Sequence, residues 1–185
     1  MSVGESFEVT LAAARAGAEW AWTSIYSDLA PSVLGYLRTR GAPDPEDLTG
    51  EVFLEVVRDL PAFDGSERGF RAWVFTIAHH CLLDDRRARV RRPFEVMPDE
   101  GIDAPDPNSD IEDRVLSSVE AERAYRVITR LSTDQQDVVL LRTLGEMTVE
   151  EVAAALGKRP GAVKQLQRRA IARLRRELER EGVTL

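Results

Sequence analysis

The sequence predicts an all-α protein made of two small helical domains joined by an acidic flexible linker. Three observations predict it. Apolar residues recur at three- and four-residue spacing, and no alternating strand pattern appears anywhere. Helix-starting signals punctuate the chain on both sides of its middle. The middle itself, Pro93 to Asn108 (PFEVMPDEGIDAPDPN), has four prolines, no basic residue and few large apolar groups. The expected domains are residues 1–92 and 110–185, with 93–109 as the linker.

The chain has 185 residues, 43% apolar and 6% aromatic, enough for a core but with no apolar run long enough to span a bilayer. The N-terminus lacks a basic region ahead of an apolar stretch, so no secretory signal and a cytoplasmic location are expected. Cys81 is alone, which excludes an internal disulfide or a cysteine-based zinc cluster. The net charge of −7 is unevenly distributed. Residues 1–92 carry −3, residues 93–122 carry −9 and residues 123–185 carry +5. Basic residues cluster at Arg71 to Arg92 and at Lys158 to Arg180, the kind of local footprint that phosphate binding requires whatever the overall sign.

In chain order, a short helix is expected around Ser6 to Ala16, then a long one from Glu19 to Arg40, kinked near Pro31. Trp20 and Trp22 are expected to pack within the bundle. Asp44-Pro45-Glu46-Asp47 combines an N-cap, a proline in the first turn and early acids, so a helix starts there. Its apolar stripe is Leu48, Val52, Phe53, Val56, Val57 and Leu60. After the Asp64-Gly65-Ser66 turn, Phe70, Trp73, Val74, Ile77, Cys81 and Leu82 form the inward face of a helix reaching about Val90. Thr76, His79, His80, Leu83, Arg86 and Arg87 form its other, exposed face.

Beyond the linker a helix is expected from Asp110 to Arg130. Ser132-Thr133-Asp134-Gln135 and Thr148-Val149-Glu150-Glu151 read as capping boxes opening two further helices. Gly157 permits a turn, and Pro160 starts a last helix running to about Arg180. This spacing is that of a helix-turn-helix, with Ala153 at the close crossing and Val163 and Leu166 pinning the second helix. Lys164, Gln165, Arg168 and Arg169 are then free to enter a major groove, where Gln pairs with adenine and Arg with guanine. Arg159, Arg173 and Arg176 are placed to meet phosphates.

His79, His80 and Asp84 offer the spacing of metal ligands, which keeps a helical metal hydrolase as a rival reading. Against it, Asp84 and Asp85 can pair with Arg87 or Arg89, and no phosphate-cradling loop or nucleophile motif is present. No catalytic residue, metal or cofactor is expected. A second rival is an autonomous helix-turn-helix regulator, with the first domain used for dimerisation or sensing.

Three runs in the first half carry a resemblance: Asp47-Leu48-Thr49-Gly50-Glu51-Val52-Phe53-Leu54, Leu60-Pro61-Ala62-Phe63-Asp64-Gly65, and Phe70-Arg71-Ala72-Trp73-Val74-Phe75-Thr76-Ile77-Ala78. They look like region 2 of extracytoplasmic-function (ECF, group 4) RNA polymerase sigma factors. Leu131 to Arg142, Thr148 to Leu156 and Gly161-Ala162-Val163-Lys164 are similar to region 4 of the same family. Gly50 stands where that family usually has Gln, and His79-His80 where Arg-Asn is common.

The resemblance implies a bacterial transcription initiation factor that binds core RNA polymerase and directs it to promoters. Region 2 would bind the β′ clamp helices through Asp47, Glu51 and Leu54. It would capture the melted −10 strand along Phe63, Asp64, Ser66, Arg71, His79, His80, Arg86 and Arg87. Region 4 would touch the β flap and read the −35 duplex through Arg159, Gly161, Lys164, Gln165, Arg168, Arg169 and Arg173. The acidic stretch Asp99 to Asp110 would thread toward the polymerase cleft. The resemblance also implies an anti-sigma factor as partner.

Overall fold

Asp44 begins the helix that the sequence marks most clearly: its carboxylate accepts the Asp47 N–H at 3.0 Å, and Pro45 opens the first turn. The computed structural model describes residues 4–91 and 123–180, and no strand occurs among them. The helices are α1 (Gly4–Arg15), α2 (Glu19–Thr39), α3 (Pro45–Asp59), α4 (Glu67–Arg91), α5 (123–129), α6 (Thr133–Thr143), α7 (Val149–Ala155) and α8 (Pro160–Arg180). The linker, Asp99 to Asp110 and the expected helix start at Asp110 lie outside the described residues.

Helices α2, α3 and α4 pack on one another, and α1 closes over α2 and α4. The Trp22 indole donates to the Ala14 carbonyl at 3.1 Å, and Arg15 donates to the Phe63 carbonyl, so the C-terminal end of α1 is tied to this bundle. The core is Val33, Tyr36 and Leu37 from α2, Val52 and Val56 from α3, and Val74, Phe75 and Leu82 from α4, all inaccessible to solvent. Each large apolar side chain buried there contributes roughly 1.5–3 kcal/mol. The buried residues of α2 begin Ala21, Ile25, Leu29 and Val33, a four-residue repeat that leaves Trp20 off the face. Trp20 is accordingly 55% exposed, contrary to the expectation that it packs within the bundle, whereas Trp22 is half-buried against the core. Helix α2 runs through Pro31 as one helical segment, with the proline ring on the exposed side.

Helices α6, α7 and α8 form the second group. The Gln135 side chain accepts the Ser132 N–H at 3.1 Å, and Thr148 and Glu151 make the full reciprocal box at the start of α7. Gly157 takes a φ of +61° between α7 and α8, a left-handed value that side chains with a Cβ disfavour. Val163 and Ala170 of α8 are fully buried against α6 and α7, with Leu166 packed at the edge.

The two groups share one continuous core, because Val138, Leu141 and Met147 of the second group join the buried cluster that contains Tyr36 and Phe75. Gly145 makes this approach possible. A Cβ there would lie 3.1 Å from the Phe75 ring and 2.8 Å from the Leu141 carbonyl oxygen.

Candidate nucleic-acid interface

Helix α8 divides cleanly along its length. Val163 and Ala170 face inward, while Arg159, Gly161, Lys164, Gln165, Arg168, Arg169 and Arg173 are all exposed. Lys158 is tied to Asp134 at 3.0 Å, and Glu177 holds Arg180 at 3.2 Å and also pairs with Arg130. No ion pair ties up Arg159, Lys164, Arg168 or Arg169 among the described residues. Arg159 and Arg169, with the Asp134–Lys158 pair, line a shallow cleft floored by Ala162 and Leu166 and edged by Gln165, and Lys164 and Arg168 stand on the helix outside it. A cationic helix face carrying one amide at its centre matches the chemistry of a phosphate-flanked base edge. The capping box of α7, the turn at Gly157 and Pro160 at the start of α8 aim that face outward as a unit.

The first group presents two surfaces. On α3, Asp47, Glu51 and Leu54 are exposed at spacings of four and three residues, one ridge of the helix, and Leu54 is 71% exposed. Beyond α3, Phe63 lies over Phe70 and Trp73 with ring centroids 5.2 and 5.0 Å away, and Gly65 sits under its ring. Trp73 is therefore half-buried in an aromatic cluster, as its place on the inward stripe implies. Asp64 and Ser66 stay exposed, and the Ser66 hydroxyl accepts the Gly69 N–H at 3.3 Å where α4 begins.

The remaining residues expected on this surface separate. His80 and Arg87 are exposed, with Arg87 paired to Asp84 at 2.8 Å. Arg89 pairs with Asp85 at 2.9 Å. Arg71 is half-buried and turned toward the second group, donating to the Leu144 carbonyl at 2.9 Å and lying 3.5 Å from Glu146. Arg86 donates to the carbonyl of Arg40, and burial, then the charge of Arg40, push its pKa down. His79, expected on the exposed face of α4, is buried instead, at 3% exposure, between Tyr36 of α2 and Asp137 of α6. Its Nδ1 lies 2.8 Å from the Tyr36 hydroxyl, which reaches on to Asp137 at 3.4 Å. With the proton on Nδ1, a donor chain runs from His79 through Tyr36 to Asp137 with each group used.

Asp137 also receives Arg40 bidentately, at 2.5 and 3.1 Å, and Arg40 donates further to Gln136 at 2.8 Å. Burial raises the Tyr36 phenol pKa, reinforced by the Asp137 charge. Burial likewise lowers the His79 pKa against the pull of Asp137, so His79 is neutral here and its 3.8 Å approach to that carboxylate is not an ion pair at neutral pH. Sequence reading passed over Arg40, Tyr36, Gln136 and Asp137. The available signal was a charge on an apolar stripe: Arg40 continues the row of Val33, Tyr36 and Leu37, and Asp137 the row of Leu141 and Leu144.

Two helical groups, one of them a helix-turn-helix with an exposed basic face on its second helix, define a DNA-binding protein of the helix-turn-helix class. Residues 25–92 match Sigma-70 region 2, and residues 121–174 match Sigma-70, region 4. The ECF RNA polymerase sigma factor ShbA of Streptomyces griseus is 37% identical over 154 residues, covering 78% of this chain and 81% of that protein. The ECF RNA polymerase sigma factor BldN of Streptomyces coelicolor is 36% identical over 167 residues, 89% of this chain but 63% of the relative's length. The chain belongs to the ECF sigma factor family of transcription initiation factors.

Two solved structures share the fold. One is CnrH in complex with the cytosolic domain of CnrY, with a TM-score of 0.61 and 24% identity over 92% of this chain and 96% of that one. The other is the sigma factor RpoE in complex with the anti-sigma factor NepR from Bartonella quintana, with a TM-score of 0.61 and 21% identity over 85% of this chain and 96% of that one.

Proposed function

We propose that this chain directs core RNA polymerase to specific promoters, with residues 1–92 reading the −10 element and residues 110–185 the −35 element. The observation that carries the reading is the exposed face of α8, where Arg159, Lys164, Arg168 and Arg169 stand without ion-pair partners among the described residues. Gln165 and Arg168 contact base edges of the −35 duplex; Arg159, Gly161, Lys164, Arg169 and Arg173 hold its backbone. Phe63, Asp64, Ser66, Arg71, His79, His80, Arg86 and Arg87 form the path of the melted −10 strand. Asp47, Glu51 and Leu54 seat on the β′ clamp helices, and region 4 touches the β flap. The work is binding rather than catalysis, it takes place in the cytoplasm, and an anti-sigma protein covers these surfaces when the factor is silent.

Run-off transcription with core polymerase on a genomic fragment library tests this directly. New start sites sharing paired −35 and −10 elements are expected only when the protein is added. An Arg168→Ala variant should lose duplex affinity and keep polymerase binding; Leu54→Ala should do the reverse. Binding to promoter duplex without any association with core enzyme would replace this reading by that of an autonomous regulator.

A further inference from the structure

Helix α8 carries an apolar strip on a face that is otherwise cationic. Ala162 and Leu166 stand four residues apart with Gln165 beside them, so the three side chains are neighbours on one side of the helix. Ala162 is exposed, and Leu166 is half-buried with its inner part packed against the core. Together they floor the cleft that the Arg159 and Arg169 guanidiniums line. The packing of α8 does not require the Ala162 methyl, since Val163 and Ala170 supply the fully buried contacts. The Gln165 amide has no hydrogen-bond partner among the described residues, so its donor and its acceptor are both free. The opposite wall is already satisfied. Lys158 holds the Asp134 carboxylate at 3.0 Å, which occupies the group that could otherwise accept a cytosine amino group.

We propose that this cleft is a subsite for one A·T base pair, in which the thymine 5-methyl group seats on Ala162 and Leu166 while Gln165 takes N6 and N7 of the adenine. The inference deepens the function proposed above and rests on it, because it takes the exposed face of α8 as the surface that enters the −35 major groove. Adenine offers a donor and an acceptor side by side in that groove, the pattern that a free carboxamide meets with two hydrogen bonds. Its partner thymine offers a methyl group there, and a methyl gains from leaving water for an apolar surface. A G·C pair in the same place would set the cytosine amino group against Ala162 and Leu166, whose side chains hold no acceptor for it. Arg159 and Arg169 hold phosphates on either side, which brings the groove down onto the apolar floor. Lys164 and Arg168, outside the cleft, are left to the neighbouring positions.

The test uses holoenzyme, core polymerase with the full chain, on a promoter found by run-off transcription. Each thymine of its −35 element, on either strand, is replaced singly by deoxyuridine, which deletes the 5-methyl group and keeps the base pairing. One position should lose about fourfold in affinity, the effect of exposing a single buried methyl. Replacing that A·T pair by G·C should lose about tenfold or more. In Ala162→Gly and Ala162→Ser the preference for thymine over uracil should vanish, whereas a merely structural role would weaken both duplexes alike. Circular dichroism follows helical content, and should the glycine variant lose it, the serine variant decides; the uridine scan on the wild type needs neither. Indifference to every uridine overturns the proposal, as does a −35 element without an A·T pair or a uridine effect that the folded variants retain. If holoenzyme yields no new start sites at all, the function proposed above has failed, and the subsite falls with it.

Discussion

His79 faces one carboxylate, Asp137, and three sources of positive potential, His80, Arg40 and Arg86, yet the largest influence on it is burial. Its pKa is held below the ordinary imidazole value of about 6.5. The neutral ring is the form the folded state accepts, so the unfolded chain binds the proton more readily. Stability from this site is complete above that ordinary value and erodes as pH falls through it toward the folded pKa. Urea denaturation between neutral and mildly acidic pH should show this decline in the wild type and a flatter profile in His79→Gln. Asp137→Asn leaves the buried Arg40 guanidinium without its counter-charge and should lower stability by about 3–5 kcal/mol in the same urea measurement.

Single residues were legible where their role is local. The cap at Asp44, the solvation of Leu54 and the basic face of α8 all follow from spacing along one helix. His79 was misread because its environment is set by Tyr36 of α2 and Asp137 of α6, which no periodicity within α4 reveals. At Cys81, burial, with Glu55 beside it, pushes the thiol up to about 12, in keeping with its place on the inward stripe rather than in a reactive site.

At the scale of elements, the turn between α7 and α8 decides where the reading face points. A Cβ at Gly157 would meet nothing within 4 Å, so substitution there costs only backbone strain. Gly157→Ala should lower stability by about 1–2 kcal/mol, and Gly157→Asn by less, since Asn tolerates the left-handed region. Thr148→Ala removes the acceptor of the Glu151 N–H and should cost about 1 kcal/mol in thermal or urea unfolding. If α8 meets phosphates as proposed, duplex affinity should fall linearly in log–log form with salt, and losing Arg169 should reduce that slope by about 0.9. An unchanged slope would remove Arg169 from the phosphate contacts. These elements were the most readable part of the chain because caps, Gly and Pro act within a few residues. The placement of Trp20 was less so, since helix phase depends on which apolar residues the rest of the bundle selects.

At the scale of the whole molecule, the sequence disclosed two helical modules but not that they share a core. A join between distant helices leaves no local pattern; it shows only as charges, Arg40 and Asp137, standing on otherwise apolar rows. These two residues are separated by 97 positions, but α3 and α4 occupy part of that span, so what their contact closes is the stretch between Arg91 and Arg123. The entropy of closing such a stretch grows only with the logarithm of its length, and doubling it adds about 0.6 kcal/mol. Insertions between Arg91 and Arg123 should therefore cost little stability, which urea denaturation of a lengthened chain would check. The length of that stretch can thus vary widely at little thermodynamic consequence, whereas the loss of one charge at Asp137 leaves a buried guanidinium facing no anion.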